Sequence, residues 1–297
     1  MRLLVAIGAL WLFVATLPVM AQLQVSAQTE RSHFLLYERV DVLVSILNNS
    51  GMDIVLDNNE GHPWLSFLLS RHDAPNYMPV RQERQANFAP LTLKAGETKI
   101  LRVNLTPIFS FREEGDYRAS AVIDLPGQDQ IISDFVPFSV TKGQTIWSES
   151  RPVEGSTRVY SLLRFSPSSD RTQLYLRVED PSENIVYANI GLGEVVALLP
   201  PDVYFDPQGN IHVLHPFALG TYAYTRADSN GKILVQRVFK TVQEIPPRLH
   251  KMDDGNVIVW GGQEQNPDQA REKLSNGQVG AKPAAQPTST TVPDMPQ

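Results

Sequence analysis

Apolar and polar residues alternate with a period of two along most of this chain, and the helical period of 3.6 is almost absent. Val40, Val42, Val44 and Ile46 fall on one side of a predicted strand. Leu43 and Leu47 make its other side apolar as well, so both faces are expected to be partly covered. Asn48-Asn49-Ser50-Gly51 then supplies turn residues that end it. Further strands are predicted over Trp64 to Leu69, Leu101 to Leu105, Tyr117 to Ile123 and Phe135 to Val140, where Pro137 points to an edge position. Short strands separated by turns over roughly 120 residues predict an antiparallel β-sandwich.

A second β-rich stretch follows. Leu174, Leu176 and Val178 alternate, Glu179 to Asn184 turns the chain, and Ile185 to Ile190 returns. Three later turns share acid and glycine at the tip: Asp206 to Asn210, Asp228 to Lys232 and Asp253 to Asn256. Each leads into an apolar strand, at Ile211 to Leu214, Ile233 to Phe239 and Val257 to Trp260. Hairpins at this spacing are the material of propeller blades, but residues 154 to 262 hold 109 positions. That is about two and a half blades, where at least four are normal. An antiparallel meander or small sandwich is predicted instead.

The organisation read from these patterns is all-β. A signal peptide is placed at 1–21, a first sandwich at 22–141, a linker at 142–153, a second β domain at 154–262 and a disordered polar tail at 263–297. The leader rests on Met1-Arg2, an uncharged run from Leu3 to Val19, and small residues at Val19 and Ala21. A second possible cut follows Ala27, and an uncleaved anchor is the alternative to removal. After removal no stretch is left that would cross a membrane as a helix. The tail carries five prolines among Gln, Ser, Thr and Ala, too little apolar surface to offset the entropy of ordering.

Composition narrows the chemistry. Of 297 residues 42% are hydrophobic, enough for one large core or two ordinary ones. The net charge of −6 without a basic block excludes the electrostatic footprint of a nucleic-acid binder. No cysteine is present, which removes disulfides, thiol nucleophiles and cysteine-held metals. An exported chain without disulfides depends on core burial, and a secreted or periplasmic location in a bacterium is expected.

Motif searching yields no catalytic or cofactor site. Gly-x-Ser-x-Gly, a phosphate loop and a complete dinucleotide fingerprint are absent, and Gly191-Leu192-Gly193 lacks the third glycine. Ser139 and Lys142 match Ser-x-x-Lys without its companion elements. Glu113 and Glu114 are adjacent and point apart. His212 and His215 stand three apart on a predicted strand, which sends them to opposite faces, so they cannot chelate together. His62 and His72 could converge only across a hairpin. The acidic turns lack the ligand ladder of a calcium loop and are explained by hairpin chemistry, which leaves calcium binding open. Among Trp64, Trp147, Tyr160, Tyr204, Tyr222, Tyr224 and Trp260, the pair Tyr222 and Tyr224 shares a strand face and is the candidate binding strip.

Gly115-Asp116-Tyr117-Arg118-Ala119 resembles the tyrosine corner of immunoglobulin-type domains, with Ala119 where their second core cysteine stands. Residues 34 to 69, with Tyr37-Glu38-Arg39-Val40 opening a strand and Asn48 to Gly51 ending it, resemble the first strands of bacterial immunoglobulin-like modules, among them the Bacillus-type intracellular proteinase inhibitor domains. With Pro247-Arg248-Leu249, Asp253-Asp254-Gly255 and Val259-Trp260-Gly261-Gly262, the chain is similar over 31 to 262 to a family of exported bacterial two-domain β-proteins. The resemblance implies an immunoglobulin-like first domain and export, and carries no activity or functional residue. The expectation is a non-enzymatic exported protein with a binding or structural role, its partner a protein or polysaccharide of the cell envelope. The alternatives are a periplasmic protease inhibitor using a loop such as Arg71 to Ala89, and a polysaccharide-active enzyme built on two carboxylates within about 10 Å.

Overall fold

The computed structural model describes residues 23–265, apart from 59–61, 74, 126–128, 169–170 and 197. The predicted leader and nearly all of the predicted tail lie outside the described residues. Strands β1 (Leu23–Thr29), β2 (His33–Leu35), β3 (Asp41–Asn48), β4 (Ile54–Leu56), β5 (Leu65–Asp73) and β6 (Asn76–Pro79) come first. Then follow β7 (Leu91–Leu93), β8 (Thr98–Asn104), β9 (Gly115–Ile123), β10 (Ile131–Ile132), β11 (Val136–Thr141), β12 (Gln144–Val153), β13 (Ser156–Ser168) and β14 (Arg171–Asp180). The series ends with β15 (Ile185–Glu194), β16 (Asp202–Phe205), β17 (Ile211–Ala218), β18 (Thr221–Ala227), β19 (Ile233–Lys240), β20 (Arg248–Lys251), β21 (Val257–Trp260) and β22 (Gln263–Glu264). The described chain is all-β, as the period-two pattern predicts, and none of it is a helix long and apolar enough to cross a membrane.

Two compact units emerge. Among the described residues, one holds 23–30, Asp41–Ser110 and Arg118–Pro137. The other holds Arg31–Val40, Phe111–Tyr117 and 138–265. In the first, β3 is flanked by antiparallel β1 and β8, while β4 pairs with β7 and β5 with β6. Val42, Val44 and Ile46 are buried, and Leu43 and Leu47 on the opposite side are half-buried. Asn48, read from sequence as a turn residue, is a buried hub. Its amide donates to the carbonyls of Met52 and Leu93, and its Oδ1 accepts from the Ser50 N–H. A buried amide so fully partnered costs little and pins two loops at once.

In the second unit β2 runs parallel to β11, β12-β13-β14-β15 form one antiparallel sheet, and β16-β17-β18-β19-β22 form another. The two sheets meet over one core, with Tyr160, Leu162, Leu174 and Leu176 from the first and Phe205, Ile211 and Val213 from the second. Each fully buried side chain of this kind contributes about 2 kcal/mol. The 228–231 turn seals one end of that core. Arg158 bonds Asn230, and the Tyr160 hydroxyl donates to the Ser229 carbonyl at 2.9 Å. Gly231 has a φ of +86°, and a Cβ there would lie 2.3 Å from that of Ala188, so only glycine lets the turn approach this closely.

Three sequence boundaries need correction. Residues 142–153 are mostly the strand β12 and not a linker. None of its side chains is fully buried, because β12 is the edge of its sheet, so its sequence lacks the apolar alternation that marks a strand. Arg31–Val40 belongs to the second unit, not to the first sandwich. Leu35 packs on Leu163, Phe165 and Tyr175, Arg177 donates to the Leu36 carbonyl at 2.7 Å, and Glu38 takes Arg31 at 2.6 Å and the Tyr175 hydroxyl at 2.9 Å. Gln263 and Glu264, assigned to the tail, pair with Lys240 and Phe239. At the start of β9 the Tyr117 hydroxyl donates to the Glu113 carbonyl at 2.8 Å.

Candidate functional site

β17 and β18 are buried on both faces, and alternation divides their side chains between two environments. Ile211, Val213 and Ala227 enter the core between the sheets. His212, Leu214 and Tyr224 turn the other way, where the β20–β21 hairpin lies over the sheet and Leu249, Val257 and Val259 pack against Leu214, Tyr224 and Phe239. Asp202 holds the β20 side of this hairpin, accepting from Arg248 Nη1 and from the Leu249 N–H, each at 3.2 Å.

Under the hairpin runs a chain of three polar groups. Asp206 sits in the turn before β17 and accepts from the Asn210 backbone N–H and side-chain amide, both at 2.8 Å. Its Oδ2 is 3.1 Å from His212 Nε2, and His212 Nδ1 is 2.9 Å from the Tyr224 hydroxyl. Burial pushes Asp206 up, but the hydrogen bonds from Asn210 and His212 more than offset this and hold it below its ordinary range. Burial keeps His212 below its ordinary range, so the imidazole is neutral at pH 7. An ionised carboxylate accepts only, which puts the proton on His212 Nε2 and makes Nδ1 the acceptor of the Tyr224 O–H. Burial also raises Tyr224, keeping that proton in place. Every proton has a partner, and the arrangement is a closed structural relay.

Beside Tyr224 opens a cleft of about 360 Å³. Its floor is one face of β18 and β19, from Tyr224, Arg226, Val235, Arg237 and Phe239. Its wall is Val257, Ile258 and Val259 of β21. Successive strand residues point to opposite faces, so a cavity touching three in a row meets the edge of the strand and its backbone groups. β21 has β20 as its one strand partner among the described residues. Glu264 of β22 closes one end and pairs with Arg237 at 3.1 Å. Gly261 and Gly262, with φ of +75° and +67°, carry the chain from hairpin to sheet edge, and a Cβ on Gly262 would lie 2.8 Å from the Lys240 carbonyl.

The predicted strip of Tyr222 and Tyr224 is thus not an exposed surface. Both face the hairpin, Tyr222 partly buried against the cluster and Tyr224 only 9% exposed, in the cleft floor. Tyr160 and Trp64 are core, Trp147 packs against Phe205, and Tyr204 and Trp260 are exposed. His212 and His215 do lie apart: His215 is wholly buried, with Nε2 3.2 Å from the Glu194 carbonyl. His72 packs against Tyr77, ring centroids 5.0 Å apart. Ser139 donates to Asp116 at 2.7 Å while Lys142 pairs with Glu114 at 3.0 Å, so the serine and the lysine serve different partners. Carboxylates of the acidic turns accept backbone N–H groups, as Asp228 does from Asn230 and Lys232. No group of three or more metal-ligating side chains is gathered among the described residues. Sequence reading missed the cleft. Its one visible signal was Val257 to Trp260, an apolar strand without the charge or proline that protects an edge.

No family model and no curated protein matches the chain. Among solved structures it is similar to a β-glucosidase of Erythrobacter marinus, with 18% identity over 40% of this chain and 15% of that one, at a TM-score of 0.27. A β-glucosidase of Listeria innocua in complex with isofagomine gives 21% over 40% and 16%, also at 0.27. This chain thus spans about one sixth of the length of these enzymes. The sporulation control protein of Bacillus subtilis gives 10% identity over 56% of this chain and 83% of that one, at a TM-score of 0.29.

Proposed function

We propose that the protein is exported through its N-terminal leader and works without catalysis, as a binding protein of the bacterial cell envelope whose first sandwich is immunoglobulin-like. The observation that carries export is where the leader pattern stops. The cut after Ala21 leaves β1 whole, whereas the cut after Ala27 strips five of its seven residues, among them Leu23, which is 1% exposed. β1 pairs with β3 along its entire length, which supports the earlier cut.

Two features favour binding over chemistry. The relay from Asp206 to Tyr224 is closed, with a neutral imidazole whose two nitrogens are both engaged. The cleft beside it contains one carboxylate, Glu264, already paired with Arg237, where glycoside hydrolysis uses two facing acids. The Arg71 to Ala89 stretch offers little to an inhibitor reading. Its first part is the β5–β6 hairpin, and Gln82 and Glu83 are tied to Phe109 and Ile108.

The test is expression of the full chain in a bacterium, with fractionation and N-terminal sequencing. The expected product is periplasmic or secreted and begins at Gln22. A cytoplasmic product that keeps residues 1–21 would overturn the reading.

A further inference from the structure

We propose that the cleft takes an extended, acidic polypeptide segment of a partner protein, added as a strand to the open edge of β21. The inference rests on the binding role above and names the class of partner.

The backbone supplies the first argument. Met252 N–H donates to the Asn256 carbonyl at 2.8 Å where the hairpin turns. Antiparallel pairs alternate between bonded and non-bonded, so Lys251 with Val257 and Leu249 with Val259 are non-bonded pairs. The N–H and C=O groups of Val257 and Val259 therefore point away from β20, into the cleft. The edge is Val-Ile-Val-Trp, without charge or proline, and Ile258 and Trp260 are 42% and 59% exposed. Proteins normally blunt such an edge, and an unblunted one is a template for strand addition.

The floor supplies the chemistry. A strand laid along four residues of edge spans about 13 Å and drops every second side chain onto β18 and β19. There it meets Val235, Phe239 and the ring of Tyr224, flanked by two guanidinium groups. Arg237 has Glu264, whereas the Nε of Arg226 is buried with no hydrogen-bond partner. Two cations against one carboxylate favour an incoming segment with acidic residues among its inward-facing side chains, since charge-assisted hydrogen bonds are the strong ones.

The probes are fluorescein-labelled octapeptides alternating valine with glutamate, glutamine or lysine, titrated against the full chain by anisotropy. The glutamate peptide is expected to bind about tenfold more tightly than the lysine peptide, with the difference shrinking as salt rises. Arg226→Gln should weaken it about tenfold. Val259→Pro removes an outward N–H without touching the pairing to β20, so it should abolish binding while the melting temperature stays within a few degrees. Equal binding of all three peptides, or binding unchanged by Val259→Pro, overturns the proposal. So does a dimer that Val259→Pro dissolves, which gives the edge to a second copy, or binding seen only after residues 266–297 are cut away, which gives it to the chain itself. An envelope partner captured equally by wild type and Val259→Pro would remove the cleft assignment and leave the binding role standing.

Discussion

The two faces of the β17–β18 sheet differ as much as two surfaces of one sheet can. One face is dry and apolar and is closed by a second sheet, with Ile211, Val213 and Ala227 against Leu162, Leu174 and Leu176. The other carries His212, Tyr224 and two arginines and is roofed by a hairpin whose β21 edge has no second strand partner among the described residues. The first face holds a continuous apolar core, and the second is where we place recognition. The division follows from one register: odd residues of β17 go to the core and even residues to the hairpin side.

His215 and His212 show the same contrast in one residue type. Both are neutral at pH 7, but His212 has partners on both nitrogens, while His215 has one and its Nδ1 is buried without any. Burial pushes His215 down to about 4.

The comparison breaks most sharply in the dry core. Leu176→Ala should lower unfolding free energy by about 4 kcal/mol, read by urea denaturation, since a fully buried leucine leaves a cavity. Next is acid. A folded His215 below its unfolded value means the unfolded chain binds more protons between about pH 6.5 and 4. Its contribution is therefore present above pH 6.5 and lost as pH falls through that window, about 3 kcal/mol in all. His215→Leu should flatten that part of the stability profile, and an unchanged slope would refute the assignment. Gly231→Ala should cost about 2 kcal/mol, from the positive φ and the contact with Ala188, read as a lower melting temperature. The smallest effect is on the face under the hairpin. Tyr224→Phe leaves His212 Nδ1 without its donor and should cost about 1 kcal/mol, with little change in the overall spectrum of the protein.

Most of the strands were legible because burial writes a period of two into them. β3 shows this, with buried and half-buried residues alternating along its length, and the three acid-and-glycine turns fold as their residues dictate: Gly209, Gly231 and Gly255 all take left-handed φ. What stayed hidden had non-local causes. β12 is an edge, so its buried positions are too few to register. The 31–40 segment reads as the start of the first sandwich, yet Glu38 and Leu36 find their partners in Tyr175 and Arg177, more than 130 residues away. Tyr222 and Tyr224 were correctly placed on one face. Which cover lies over that face depends on the hairpin beyond residue 247, and no local pattern specifies it.

Amide hydrogen exchange over residues 248–260 of the full, unliganded chain tests the open edge directly. The account predicts fast exchange at Val257 and Val259, whose N–H groups face the cleft, beside protected amides at Ile258 and Trp260, which bond β20. Strong protection at all four positions would mean that the edge is already paired, and the division of labour between the two faces would be wrong.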